Sequence, residues 1–152
     1  MTAYTQTIQI AAPPAKVFRA YVEKINQWWP WQGKEFRFSF APEGVEPSEI
    51  HFEPKLGGRY YERFADGSEF DIGRVTRYEP PHKFAFTWTG RDWPEGESLF
   101  ELTFEEAKHG TLLTLIHSGF EIFGDDAAEM VQGYDTGSKE ILGAFINWLE
   151  AN

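Results

Sequence analysis

The segment SLFELTFEEAKHGTLLTLIHS (Ser98–Ser118) alternates apolar and polar residues on both sides of a short polar turn. Each half repeats every two residues, which is the side-chain period of a β-strand. One face of the pair carries Phe100, Leu102, Phe104, Leu113, Leu115 and His117. Lys108-His109-Gly110 supplies the turn. The pattern predicts a β-hairpin with one buried face and one face in water.

The same alternation continues through the segments that precede this hairpin. Strands are predicted over Tyr4–Ile10, Glu35–Ala41, Ser48–Glu53, Arg59–Phe64, Ser68–Tyr78, Lys83–Thr89, Ser98–Glu105 and Thr111–Ser118. Asp66-Gly67 is a strong signal for a tight hairpin, and Pro80-Pro81 cannot donate to a strand ladder. Such short turns between strands predict an antiparallel meander.

Helices are predicted at both ends of this meander. Apolar residues at helical spacing follow Pro13-Pro14, and a short second helix is predicted over Ile25–Trp29, ended by Pro30. A long helix is predicted from Asp126 to Ala151, where apolar residues form a stripe of period near 3.6. Asp126 and Glu129 resemble a capping box. Gly133 and Gly137 lie on one face of this helix, where it must either approach the sheet closely or leave a void.

Composition excludes several classes of function. A chain of 152 residues predicts one domain, residues 1–152. The net charge of −10, without a basic patch, opposes binding to nucleic acid or to anionic membranes. The absence of cysteine removes disulfides, thiolate metal sites and cysteine nucleophiles. Because no secretion signal and no apolar run of ~20 residues occurs, we expect a soluble cytoplasmic protein.

Aromatic residues make up 17% of the chain and predict either a wide interior or a cavity. NQWWPWQG (Asn26–Gly33) holds three of the six tryptophans. On a helix Trp28 and Trp31 are neighbours and Trp29 points elsewhere. We therefore expect one ring in the interior and another near the rim, where the rings either plug the open end of the fold or gate a pocket for a planar apolar ligand.

Polar residues on the predicted inner faces are candidates for chemistry. His117 is interpreted either as a hydrogen-bonded core residue or as a group that orients a ligand. Tyr134, beside the two helix glycines, is either a core tyrosine or a polar contact at a cavity wall. Carboxylates such as Glu62 are expected on a solvated face. One of the strand arginines Arg59, Arg63, Arg74 and Arg77, if turned inward and paired with Asp71 or Glu62, would anchor a ligand carboxylate.

Four motifs carry a family resemblance that covers essentially the whole chain. They are IQIAAPPAKVFRAYVEKINQWWP (8–30), LGGRYYERFADG (56–67), GRVTRYEPPHKFAFTW (73–88) and GTLLTLIHSGF (110–120). Together they resemble the activator of heat-shock protein 90 ATPase homologue-like family, within the START-like (SRPBCC) superfamily. The resemblance implies an α+β helix-grip fold of START/Bet v-like type, in which a curved antiparallel sheet wraps around the long C-terminal helix and a cavity lies between them.

The leading functional hypothesis is a binding or carrier protein for a small hydrophobic molecule with an aromatic or acyl body. The wall residues expected for its cavity are Trp28, Phe70, Phe86, Trp88, His117 and Tyr134. We expect no cofactor and no metal, since no metal-ligand spacing or phosphate-binding loop occurs. A non-enzymatic role is favoured over a cyclase, dehydratase or hydrolase that would use His117 as acid or base.

A protein-partner role is the third hypothesis. It predicts an exposed apolar patch at Trp29, Pro30 and Trp31 that docks a chaperone or a second copy of the chain. Co-chaperone activators of the family carry an additional N-terminal domain that binds the chaperone, whereas this chain begins directly with the first strand. The resemblance therefore implies the fold more than it implies chaperone activation.

Overall fold

The computed structural model describes residues 1–152 and contains seven strands and three α-helices. The elements are β1 (Ala3–Ile10), α1 (Pro14–Glu23), α2 (Ile25–Trp28), β2 (Pro47–Phe52), β3 (Arg59–Phe64), β4 (Glu69–Glu79), β5 (Lys83–Trp88), β6 (Ser98–Ala107), β7 (Gly110–Ser118) and α3 (Ala127–Ala151). A 3-10 segment, Phe120–Asp126, precedes α3. No helix combines the length and the apolar character needed to cross a membrane.

The strands form one antiparallel sheet in the order β1-β7-β6-β5-β4-β3-β2. The sheet curls where the pairing of β4 shifts register against β3 and against β5. Gly73 lies at this bend, and a Cβ atom there would stand 1.8 Å from the carbonyl oxygen of Thr87. Only glycine permits this approach of the two strands, which bends the sheet into a half-barrel.

The concave face of the sheet carries the side chains that the alternation predicts. The predicted inward residues Phe84, Phe86, Phe100, Leu102, Phe104, Leu113, Leu115 and His117 are all buried. The 25-residue helix α3 lies against this face, and α1 and α2 close one end of it. The α+β helix-grip architecture is confirmed.

The predicted strand Glu35–Ala41 is wrong. Residues 29–46, here called the strap, run from α2 to β2 with a single isolated bridge between Gln32 and Arg37. The backbone N–H of Phe38 donates to Trp31 O at 2.8 Å, within the strap itself. The alternating phenylalanines of the strap therefore indicate that one side of this segment is apolar. They do not indicate that its backbone pairs with another strand.

The predicted capping box is also absent. Asp126 precedes α3 but makes no side-chain hydrogen bond to the helix backbone. Its backbone is already helical, with φ −89° and ψ 0°, because the 3-10 segment leads directly into the helix. The extended backbone that a capping side chain requires is missing at this position.

The strand arginines all point away from the cavity, so an inward arginine anchor is wrong. The Arg59 guanidinium donates to Asp71 Oδ1 at 2.6 Å, and the Arg63 guanidinium donates to Glu69 Oε2 at 2.8 Å. Arg74 and Arg77 are exposed beside Asp71 and Glu79. Their positions on the outer face follow from strand parity, because Arg59 and Arg63 alternate with buried residues of β3.

Candidate functional site

A cavity of about 500 Å³ lies between the concave face of the sheet, the first half of α3 and the strap. Its wall is mostly apolar and rich in aromatic rings. The rings are Tyr21, Trp29, Phe36, Phe38, Phe40, Tyr60, Phe86, Trp88, Phe100 and Tyr134. Both the volume and the apolar character are typical of small-molecule sites.

The cavity remains open because α3 has no side chains at two positions that face it. A Cβ atom at Gly133 would find no other atom within 4 Å, and one at Gly137 would meet the Phe38 ring at 3.3 Å. Both glycines line the cavity. Of the two roles that the sequence leaves open for this pair, the void is present at Gly133, whereas Gly137 faces Phe38 of the strap and not the sheet.

Glu62 supplies a buried carboxyl group to this wall. The residue is 1% exposed, so the expectation of a solvated face is wrong for it. Its Oε2 accepts a hydrogen bond from the Ser39 hydroxyl at 2.5 Å, and its Oε1 accepts one from the Phe40 N–H at 2.7 Å. Burial raises the pKa of Glu62, while these hydrogen bonds and the charges of Arg37 and Arg91 oppose the increase.

Sequence reasoning missed Glu62 although a signal was present. In β3 the residues Tyr60, Glu62 and Phe64 share one parity, and all three are buried. Two aromatic neighbours at i−2 and i+2 therefore place the carboxyl group on the inner face. The general preference of glutamate for solvent outweighed this parity in the prediction.

His117 is fully buried and lies outside the cavity wall. Its ring stacks on Phe100, with 3.7 Å between the ring centroids, and Phe100 itself faces the cavity. Nδ1 lies 2.8 Å from the Tyr4 hydroxyl, and Nε2 lies 2.7 Å from the Ser98 hydroxyl. Burial lowers the pKa of His117 to about 3, so the imidazole is neutral at pH 7. His117 is therefore a hydrogen-bonded core residue, which is the first of its two interpretations.

The network around His117 nevertheless reaches the cavity through the helix. The Tyr4 hydroxyl lies 2.6 Å from Ser138 Oγ. Ser138 belongs to α3 and is one of the residues of the cavity wall. Four buried polar side chains, Ser98, His117, Tyr4 and Ser138, thus form one continuous chain of hydrogen bonds.

Tyr134 and Trp88 form the third polar point of the wall. The Trp88 indole N–H donates to the Tyr134 hydroxyl at 3.3 Å. An indole N–H is only a donor, so the Tyr134 hydroxyl accepts here and keeps its own proton. Burial raises the pKa of Tyr134, which keeps this proton in place at neutral pH.

Three of the six predicted wall residues line the cavity, namely Phe86, Trp88 and Tyr134. The other three, Trp28, Phe70 and His117, lie outside it. Phe70 packs against Phe40 at 4.6 Å between ring centroids and lies beneath the Arg91 guanidinium.

The tryptophan cluster divides between core and cavity. Trp28 is 4% exposed and packs on Phe145 at 4.8 Å between ring centroids. Its indole N–H donates to Ala20 O. Helix α2 ends at Trp28, and the extended backbone of Trp29 directs the next indole into the cavity. The Trp29 indole N–H donates to Phe38 O at 2.9 Å and ties the strap to this ring. Trp29, Pro30 and Trp31 are half-buried.

Comparisons with known proteins give the family and the fold. The family described as "Activator of Hsp90 ATPase homolog 1-like protein" matches residues 11–142. The solved structure of MLL2253 from Mesorhizobium loti is 21% identical with a TM-score of 0.72, covering 99% of this chain and 98% of that chain. The structure of CV1439 from Chromobacterium violaceum is 20% identical with a TM-score of 0.70, covering 99% of both chains. These likenesses show the fold.

A further solved structure is that of Txn09, described as an anthrahydroquino-gamma-pyrone synthase complexed with SUM. It is 28% identical with a TM-score of 0.63, covering 97% of this chain and 96% of that chain. A comparison with curated proteins finds no match. Because the family match spans most of the sequence and the fold is shared over nearly its whole length, the chain belongs to the activator of Hsp90 ATPase homolog 1-like family.

Proposed function

We propose that this protein binds a small hydrophobic molecule with a planar aromatic or acyl body in the cavity beneath α3. The observation that carries the proposal is the open space of about 500 Å³ beside Gly133, walled by aromatic rings. The helix-grip fold of this family is known for ligand binding. A core designed only for stability would fill such a space, since voids remove packing contacts.

Burial of apolar ligand surface supplies the driving force, at about 25 cal/mol per Å² before the costs of association. The aromatic wall favours a flat partner, because rings stack or meet edge to face at 4.5–7 Å between centroids. Phe86 and Phe100 already stack at 4.9 Å and offer one such surface. Phe86, Trp88 and Tyr134 are the sequence-predicted residues that we assign to contact with the ligand.

A titration with the neutral dye N-phenyl-1-naphthylamine tests this proposal. The dye fluoresces in apolar surroundings, so the native protein should give saturable fluorescence. Gly133→Phe places a ring in the open space and should abolish the signal. Gly143→Phe is the matched control, because Gly143 is also a glycine of α3 with free space beside it but lies outside this cavity.

Two outcomes contradict the proposal. One is absence of saturable dye binding to the folded native protein, with folding checked by circular dichroism. The other is equal binding by the Gly133→Phe and Gly143→Phe variants. Native mass spectrometry of protein purified from its own cells would identify a retained molecule.

A second candidate is an enzyme that cyclises an aromatic compound in the same cavity. It is favoured by the buried carboxyl group of Glu62 in the wall and by the likeness to Txn09. His117 is not the acid or base of this candidate, because both its ring nitrogens are engaged behind Phe100. Incubation of the retained molecule with the protein separates the candidates: a change in mass or chromatographic retention that Glu62→Gln abolishes supports an enzyme.

A further inference from the structure

We infer that the bound molecule is recognised through a hydrogen-bond donor, a hydroxyl or amine on its apolar body, which Glu62 and Ser138 accept. This inference rests on the proposed binding function and specifies the polar chemistry of its ligand. It follows from counting the protons in the hydrogen bonds of the wall.

Ser98, behind the wall, sets the direction of the first hydrogen bond. The Ser98 hydroxyl lies 3.2 Å from Trp88 O, and a carbonyl oxygen only accepts, so the hydroxyl proton points to that carbonyl. Ser98 Oγ must then accept from Nε2 of His117, which lies 2.7 Å away. A neutral imidazole protonated on Nε2 presents a lone pair at Nδ1.

The chain of hydrogen bonds then determines whether Ser138 donates or accepts. The Tyr4 hydroxyl donates its one proton to Nδ1 of His117 at 2.8 Å. Tyr4 therefore accepts from Ser138 Oγ at 2.6 Å, which uses the proton of the serine. Only lone pairs remain on Ser138 for a molecule in the cavity. With His117 protonated on Nδ1 instead, Ser98 would donate its proton to Nε2 and would lose its hydrogen bond to Trp88 O.

The strap fixes the directions of the hydrogen bonds at Glu62 in the same way. Ser39 Oγ accepts from the Ala41 N–H at 3.0 Å and donates to the Glu62 carboxyl group, which also accepts from the Phe40 N–H. Ionised Glu62 has about four acceptor sites, and these contacts fill two of them. In that form both polar groups present lone pairs, and the charge of Glu62 repels a carboxylate ligand.

The remaining polar residues of the wall do not reverse this pattern. The Arg37 guanidinium donates to Ala41 O and Val45 O of the strap, at 3.4 and 3.3 Å, and the residue is exposed, so water satisfies its remaining N–H groups. Glu129 is exposed and adds a further acceptor. The Tyr134 hydroxyl keeps a proton and offers one donor, so a ligand carbonyl can be accommodated at that point.

Displacement of the bound dye by three naphthalenes of similar shape tests the inference. They are 2-naphthol, which donates; 2-methoxynaphthalene, which only accepts; and 2-naphthoate, an anion. At pH 7 we expect 2-naphthol to displace the dye at roughly tenfold lower concentration than 2-methoxynaphthalene, the effect of one buried hydrogen bond, and 2-naphthoate to be weakest. This comparison needs only the native protein.

Two variants locate the preference. Ser138→Ala and Glu62→Gln should each reduce the advantage of 2-naphthol to about threefold or less, while 2-methoxynaphthalene binds as before and reports an intact cavity. Thr136→Ala is the control, since Thr136 is an exposed hydroxyl residue of α3 bonded to Gln132 O. The 15N shifts of His117 should show the tautomer protonated on Nε2.

The outcomes distinguish this inference from the proposed function. If the dye binds but 2-methoxynaphthalene or 2-naphthoate displaces it as well as 2-naphthol does, only the inference fails. A preference for 2-naphthol that survives in both variants also overturns it, as does a His117 protonated on Nδ1. If the dye does not bind to the native protein, both the proposed function and the inference fail.

Discussion

The interior of this protein has two halves built from the same kind of residue. In the closed half Phe145 packs on Tyr21 and Trp28, and Tyr21 packs in turn on Phe52, Phe84 and Phe104. The hollow half surrounds Gly133 and is walled by Tyr60, Phe86, Trp88 and Phe100. Tyr21 stands at the boundary and contributes to both.

The difference between the halves comes from the helices and not from the sheet. In the closed half α1 and α2 supply rings, and α3 supplies Phe145, so the concave face is filled. In the hollow half the positions of α3 that face the cavity include Gly133 and Gly137, which have no side chains, and the strap lies across from them. The side chains that the helices place opposite the sheet therefore decide whether the interior is filled.

The largest expected loss of stability comes from a substitution in the closed half. Phe145 is 0% exposed and packs on Tyr21 and Trp28, at 5.4 and 4.8 Å between ring centroids. Phe145→Ala should lower the free energy of unfolding by about 3–5 kcal/mol, because it opens a cavity in a filled region. Urea denaturation followed by circular dichroism measures this loss.

The matched change in the hollow half is Ile141→Ala, one helical turn earlier in α3. Ile141 is half-buried and already borders open space, so its truncation should cost roughly 1–2 kcal/mol. Equal losses for the two variants would contradict the division of the interior into a filled and an unfilled half.

The next largest effect is the pH dependence of stability that the buried ring of His117 causes. Burial lowers the pKa of His117 to about 3, against 6.5 for the exposed side chain. The unfolded chain therefore binds a proton more readily, so stability is present above pH 6.5 and is lost as the pH falls toward 3. Between pH 7 and pH 5 this residue alone should remove about 2 kcal/mol.

Urea unfolding of the native protein and of a His117→Gln variant at both pH values measures this loss. The variant should begin less stable but lose about 2 kcal/mol less than the native protein over the same interval. His109→Gln, in the exposed β6–β7 turn, is the control and should behave as the native protein does. An equal pH dependence for His117→Gln and the native protein would mean that the pKa of His117 is not lowered in the folded protein.

The sheet was largely predictable because its inner faces repeat with period two. Phe84 and Phe86, and Leu113 and Leu115, are buried as that repeat predicts. The same repeat misled the prediction in the strap, where Phe36, Phe38 and Phe40 alternate with polar residues. Alternation reports which side of a segment is apolar, but the partner of its backbone is set by tertiary structure.

Three aromatic residues of the site were predictable, whereas its buried carboxyl group and the aromatic residues of the strap were not. Phe86, Trp88 and Tyr134 follow from strand parity and from the neighbourhood of Gly133. The choice between Trp28 and Trp29 depends on the last residue of a one-turn helix, and element boundaries are the part of a pattern that sequence specifies least. Glu62 needs Ser39 and Phe40 as partners, which lie more than twenty residues earlier in a segment without regular structure to predict.

The smallest expected effect tests whether the hollow half is empty at the helix itself. Gly133→Ala adds a methyl group where no atom lies within 4 Å, so the higher helix propensity of alanine should stabilise the protein by about 1 kcal/mol. Gly143→Ala has equal free space and should give the same gain. Gly137→Ala should gain less, because its methyl group would press on the Phe38 ring at 3.3 Å.

Dye affinity should be nearly unchanged in Gly133→Ala, because one methyl group occupies little of the cavity. Destabilisation by Gly133→Ala would show that the strap or another segment fills this space in solution, and the cavity would then be no binding site.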